Sequence, residues 1–218
     1  VVTVDLFGLP ADYDMIRPIA DKYGLKILED GAQGFGGEIN GRRACSFGDI
    51  AITSFFPAKP LGCYGDGGAI FTNDDKIDAY LRSIRVHGMG EHKYDNVRIG
   101  WNSRLDTIQA AILLPKLQAF IEHERDDVNH VAARYTELLT DMVITPEFET
   151  KYVSSWAQYC IQLKSMDERD GLKEYLSQMG IPTMIYYPMP MHMQAAFSNM
   201  NMVVGSCSTA ERLCGTVL

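Results

Sequence analysis

Three side chains of the chain have the types and spacing for covalent chemistry on a carbonyl: Asp30, Ser54 and Lys59. Lys59 stands in SFFPAKPLGCYGDGG, after an apolar run and before a turn holding Gly62, Gly65, Gly67 and Gly68. A lysine confined between a strand and backbone, away from bulk water, can act as a nucleophile toward carbonyls. The bland reading is an ordinary surface lysine, since glycine turns of this kind also occur without function. Asp30 closes the run KILED. It reads either as a solvated strand-end carboxylate or as the partner of a protonated ring nitrogen, whose proton an anion holds in place. Ser54, five residues before Lys59, offers a hydroxyl to a phosphate oxygen or satisfies neighbouring backbone.

These residues need elements to hold them. Val1–Val4 is β-branched and reads as a strand. Met15, Ile16, Ile19, Ala20 and Tyr23 recur at helical spacing, with Asp12 or Asp14 as cap and Gly24 as stop. Lys26–Leu28, Asp49–Phe55 and Gly68–Thr72 read as further strands. Strands alternating with helices and glycine loops predict a mostly parallel α/β sheet, whose ligands bind beyond the strands' carboxyl ends. Residues 104 to 139 predict one or two long helices, kinked at Pro115 and striped by Leu105, Ile108, Ala111, Ile112, Leu117 and Phe120. A smaller α/β unit follows, with a strand over Ala157–Leu163 and a helix over Asp167–Met179 capped by Asp167 and ended by Gly180. The domain boundary is expected near residue 140. The opening strand and the abrupt last helix read as the middle of a longer protein.

Composition narrows the function. The chain has 218 residues, 46% hydrophobic and 22% charged, an ordinary globular balance. A net charge of -8 with no basic run weighs against nucleic acid and against an anionic membrane surface. No apolar stretch is long enough to span a bilayer. Five scattered cysteines without a CxxC pair fit a reduced, cytoplasmic protein. His87, His92, His123, His130 and His192 have no metal-ligand spacing, so no metal is expected. The eleven methionines read as core filler and HERDD as a solvated helix face.

Taken in order, the motifs resemble one family. Glu29, Asp30, Ala32 and Gln33, then Gly48 and Asp49, then Ser54, Phe55 and Lys59, then Gly65, Gly67 and Gly68, then Thr72, Asn73 and Asp74 follow the pattern of the DegT/DnrJ/EryC1/StrS sugar aminotransferases. GWNSRLDTIQAA matches a second element at Gly100, Asn102, Arg104, Gln109, Ala110 and Ala111, and MGIPTMIYYPMPMH a third. The resemblance implies a fold type I α/β enzyme using pyridoxal 5'-phosphate (PLP). Residues 1–140 then form the later part of a large cofactor domain with its linking helix, and 141–218 an incomplete small domain. It implies Lys59 as the lysine bound covalently to the cofactor, Asp30 on the pyridine nitrogen, Gln33 on the ring hydroxyl and Ser54 on the phosphate. Asn102 then reaches the phosphate of a neighbouring subunit's cofactor, which implies a homodimer with shared sites. Arg104, Tyr186, Tyr187 and His192 fall on the substrate side.

SFFPAKPLGCYGDGGA with IRVHG looks like the branch that aminates C3 of a UDP-linked 3-keto-N-acetylhexosamine uronic acid, a step of surface polysaccharide biosynthesis. The amino donor implied is glutamate. Two departures stand out: Tyr186 where the branch often has His, and Gly31 where Ala is usual. The alternatives are a 4-keto sugar aminotransferase, a related dehydratase (which has His at the Lys59 position), and a non-enzymatic homologue.

Overall fold

The computed structural model describes residues 1–198 and 207–218. The elements run β1 (Val2–Val4), α1 (Tyr13–Lys22), β2 (Leu28–Asp30), β3 (Glu38–Ile39), β4 (Arg42–Arg43), β5 (Ile50–Ser54), β6 (Gly68–Thr72) and α2 (Asp75–Ile84). They continue through α3 (Thr107–Ala119), α4 (Arg125–Leu139), β7 (Tyr152–Val153), α5 (Met166–Gln178) and α6 (Ser208–Thr216). Two compact units emerge: 1–131 with 148–158, and 132–147 with 159–218.

In the first unit the sheet order is β1-β2-β5-β6. β1, β2 and β5 are mutually parallel and β6 runs antiparallel to β5, so the sheet is mixed, with two of its pairs parallel. The second strand begins at Leu28, later than the expected Lys26, because the Ile27 N–H is spent on the Asp49 carboxylate at 2.9 Å. Pairing therefore starts at Leu28↔Val2 and ends at Asp30↔Val4. A second sheet, β4-β3-β7, is antiparallel throughout.

Helix α1 is capped by Asp12, whose side chain accepts from Met15 N, and Gly24 at φ +61° lets the chain leave the helix. One core gathers Tyr13, Ala20, Ile27, Ile39 and Phe47; a second gathers Phe55, Leu61, Cys63 and Leu113. The stretch after Arg104 is helical from Thr107, with Pro115 inside α3. A π-type turn, Phe120–Glu124, joins α3 to α4. Ile108, expected in the apolar stripe, is exposed. HERDD is only partly a solvated face: Arg125 is half-buried and pairs with Glu38.

In the second unit α5 forms as expected, but Ser165, not Asp167, is its N-cap, accepting from Glu168 N at 3.2 Å. Gly180 follows at φ +75°. The strand expected over Ala157–Leu163 is absent. Only its end pairs: Ile161 and Leu218 exchange N–H···O bonds at 2.9 and 3.0 Å, Leu163 N donates to Thr216 O at 2.8 Å, and Gln162 bridges Ile144 and Val217, too short a pairing for a strand. Nor are the methionines core filler: the nine described ones are all exposed, several of them in the irregular loop 184–193 where few side chains surround them. No described helix is long and apolar enough to cross a membrane, and the described residues hold no cluster able to bind a metal.

Candidate active site

Register puts the chemistry on one face. Parallel neighbours at the same level point to the same side, so Asp30 shares its side with its partner Ile52 and with Ser54 two residues on. Strand spacing and rise separate Asp30 from Ser54 by about 8 Å between Cα atoms. Both stand at the carboxyl edge of the sheet, where ligands of such sheets bind. The Asp30 carboxylate accepts from Ala32 N at 3.1 Å, which orients it over the turn that follows. The Ser54 hydroxyl accepts from Phe56 N at 3.2 Å.

Lys59 follows in a turn closed by its own N–H to Phe56 O at 2.9 Å, and its side chain is half-buried. It lines a cleft of about 370 Å³ together with Phe120, Glu124, Asp127, Ser155 and Trp156. The glycine turn behind it is fitted closely. A Cβ on Gly62 would meet Pro57 O at 2.6 Å, and one on Gly67 would meet Leu105 Cδ1 at 2.8 Å. Gln109, a motif residue of α3, accepts from Tyr64 N at 2.8 Å and so ties that helix to the turn.

Gln33 lies in the turn after Asp30. Its Oε1 accepts from Phe7 N at 2.6 Å, and its main-chain carbonyl accepts from the Ser155 hydroxyl at 2.8 Å. Asn102 and Arg104 are exposed and, like Asp30, Gln33 and Ser54, stand outside the cleft lining. They follow a reversal in which Gly88 and Gly100 are pressed together: a Cβ on Gly100 would sit 2.1 Å from Gly88 N. Tyr186 and Tyr187 belong to the second unit, their rings edge to face at 5.5 Å. His192, also there, gives its Nε2 to Glu211 at 2.8 Å and is only 6% exposed.

Sequence reasoning left out the other side of the sheet. Thr3, Asp5, Glu29, Ala51 and Thr53 share the face opposite Asp30, and all are buried. Glu29 accepts from Cys45 N, from Phe47 N at 2.7 Å and from Gly48 N at 2.9 Å. Asp5 is raised to about 7, first by burial and also by Glu29. Burial, with Glu29 and Asp5 adding to it, pushes the Cys45 thiol up to about 12, so it is no nucleophile. The signal for this face was period-2 alternation: an acid next to an outward Asp30 must point inward.

The family model for the DegT/DnrJ/EryC1/StrS aminotransferase family matches residues 1–218. The chain belongs to this family. A UDP-2-acetamido-2-deoxy-3-oxo-D-glucuronate aminotransferase of Pseudomonas aeruginosa is 47% identical over 200 residues, covering 91% of this chain and 54% of that protein. The crystal structure of a DegT/DnrJ/EryC1/StrS aminotransferase from Brucella abortus has TM-score 0.94 and 49% identity over 99% of this chain and 57% of the other. NtdA from Bacillus subtilis, solved with bound cofactor PMP, has TM-score 0.86 and 27% identity over 99% of this chain and 50% of the other. The chain thus spans about half the length of the relatives it matches.

Proposed function

We propose that the whole protein is a PLP-dependent aminotransferase acting on a nucleotide-linked keto sugar. The observation that carries this reading is the shared face of Asp30 and Ser54, with Lys59 in the turn that leaves that face. The residue types fit the cofactor: an anion for the ring nitrogen, a hydroxyl on the same face about 8 Å away for the phosphate, and an amine five residues after that hydroxyl. Bound PLP supplies an electron sink for the carbon that gains or loses nitrogen. Asp30 holds the ring nitrogen's proton, Gln33 meets the ring hydroxyl, and Ser54 holds the phosphate. Lys59 anchors the cofactor and then carries a proton to and from the reacting carbon.

The substrate we infer is a UDP-linked 3-keto-N-acetylhexosamine uronic acid, the class named in the Pseudomonas relative. Glutamate is the donor, Arg104, Tyr186, Tyr187 and His192 are the substrate-side residues, and the cytoplasm is the compartment. Residues 1–140 belong to the cofactor domain and 141–218 to a small domain. The assembly is a homodimer with shared sites, supported by the exposed Ile99, Trp101 and Ile108 that flank Asn102. The test is the full-length protein with glutamate and a panel of UDP- and dTDP-linked 3-keto and 4-keto sugars. Turnover of the UDP 3-keto uronate above the rest is expected; visible cofactor absorbance with no turnover of any keto sugar sinks the reading.

A further inference from the structure

The face of the sheet behind Asp30 holds two wholly buried carboxyls, Asp5 and Glu29, both 0% exposed. They are not equivalent. Glu29 accepts three backbone N–H groups of the 45–48 loop, a set of donors that satisfies a carboxylate. Asp5 accepts at Oδ1 alone, from Ala11 N at 3.0 Å and the Tyr13 hydroxyl at 2.8 Å. Its Oδ2 is buried and accepts from no described donor, and the Asp5 carboxyl lies within hydrogen-bond contact of the Glu29 carboxyl, a contact that only a protonated acid can make. The ionisable groups around Asp5 are Glu29 on β2, Tyr13 on α1 and Cys45 in the loop between β4 and β5. None of these is a cation, and no described Lys, Arg or His forms an ion pair with Asp5. Two buried carboxyls with one set of charge-satisfying donors hold one charge between them, and the proton goes to the poorer site.

Asp5 also touches the turn that carries the site. Its backbone N–H donates to the Asp30 carbonyl at 3.0 Å. Its side chain fills the space that side chains on the turn would need: a Cβ on Gly34 would lie 2.4 Å from the Asp5 Cβ and 2.7 Å from Oδ2, and one on Gly31 3.8 Å from Oδ2. Asp30 and Gln33 are the turn's two cofactor residues in the reading above, on which this inference rests.

We propose that Asp5 is a positioning residue: a buried carboxyl, neutral in the folded protein below about neutral pH, which braces from behind the turn presenting Asp30 and Gln33. A neutral acid packs against glycine backbone and beside Glu29 without adding a second buried charge. Ionising it would put a repelling pair under the turn. Burial first, with Glu29 adding to it, raises the carboxyl to about 7, so the neutral form prevails below neutral pH and the two forms are evenly mixed near it. For a carboxyl raised in the folded state, stability is full below the unfolded value and is lost as pH climbs toward the folded one. The unfolding constant should then increase roughly tenfold per pH unit between about 4 and 7 from this group, and level off above.

The experiment uses the full-length protein, native and as Asp5→Asn and Asp5→Ala. Denaturant midpoints are read from about pH 5 to about pH 8, and the PLP dissociation constant from the visible absorbance of bound cofactor. Asn is a neutral isostere, so Asp5→Asn should bind PLP within about threefold of native and show a smaller fall in midpoint with pH. Asp5→Ala keeps the Cβ against Gly34 but removes the carboxyl and its bonds to Ala11 N and the Tyr13 hydroxyl, and should bind PLP at least about tenfold more weakly because the turn is held less firmly. A difference in midpoint between native and Asp5→Asn that does not change with pH overturns the neutral carboxyl. An Asp5→Asn protein as weak for PLP as Asp5→Ala, or a folded Asp5→Ala that binds PLP as native does, overturns the positioning role. If Asp5→Ala does not fold, the Asn variant and its pH profile decide. A native protein that binds no PLP sinks the functional reading and the positioning role with it, while the pH profile still tests the protonation of Asp5.

Discussion

At the scale of single residues, the proposed site divides the labour between groups that touch the cofactor and groups that touch only protein. Lys59 is proposed as the first kind. Lys59→Ala in the full-length protein should abolish turnover and the borohydride-sensitive attachment of PLP; a variant transaminating at near-native rate shows that another group is the anchor. Asp30→Asn should leave the unfolding midpoint nearly unchanged and cut turnover by orders of magnitude, since an amide cannot hold a ring proton by charge. Gly31 is of the second kind. A Cβ on it would stand 2.5 Å from Cys45 Sγ. The thiol occupies the place that a methyl on residue 31 would need. Gly31→Ala should cost about 1–3 kcal/mol, and Cys45→Ala beside it should recover most of that loss. Equal penalties with and without the thiol in chemical denaturation would separate the two positions.

At the scale of elements, Asp49 organises the start of the strands that bear the site. Its carboxylate accepts from Ile27 N at 2.9 Å, Lys26 Nζ at 2.9 Å and Arg17 Nη1 at 3.2 Å. The Ile27 N–H first, then the Lys26 ammonium, hold its carboxyl well below the usual aspartate range. The stabilisation is therefore present above the unfolded value of about 3.9 and is lost as pH falls below it toward the lowered folded value. Asp49→Ala should cost about 2 kcal/mol near neutral pH. Its unfolding midpoint should fall less steeply than the native one below about pH 4. Parallel acid limbs for the two proteins would mean that Asp49 does not carry this part of the acid sensitivity. These strands were legible in type from their β-branched runs. Their starting residues were not, because a side chain from beyond residue 40 claims the Ile27 N–H that would otherwise begin the ladder.

At the scale of the whole molecule, the exposed run Ile99, Trp101 and Ile108 around Asn102 and Arg104 is the surface on which the proposed dimer depends. A site built from two chains cannot work as a monomer. Two inactive full-length variants, Lys59→Ala and the double variant Asn102→Ala with Arg104→Ala, should regain part of the native activity when mixed. One of the mixed dimer's two sites receives Lys59 from one chain and both other residues from its partner. Demonstrated subunit exchange without any recovery would remove the shared site.

The sequence alone determined what depends on short stretches of chain. The order Asp30, Ser54, Lys59 and the glycines around them carried the resemblance to the family, because a strand end, a hydroxyl and a lysine turn are local arrangements. Helix α1 and its Asp12 cap were legible for the same reason, as was the alternation that turns Glu29 away from Asp30. Only tertiary structure decided what each inward residue meets. Asp5 and Glu29 lie 24 residues apart and become neighbours because β1 pairs with β2; nothing near either residue announces it. The nine described methionines are exposed rather than core, because burial belongs to the neighbours that other segments bring, and for the loop 184–193 they bring few. His192 likewise found Glu211, nineteen residues on, by folding rather than by pattern. Covalent neighbours set conformation, whereas burial and charge are set by residues distant in the chain.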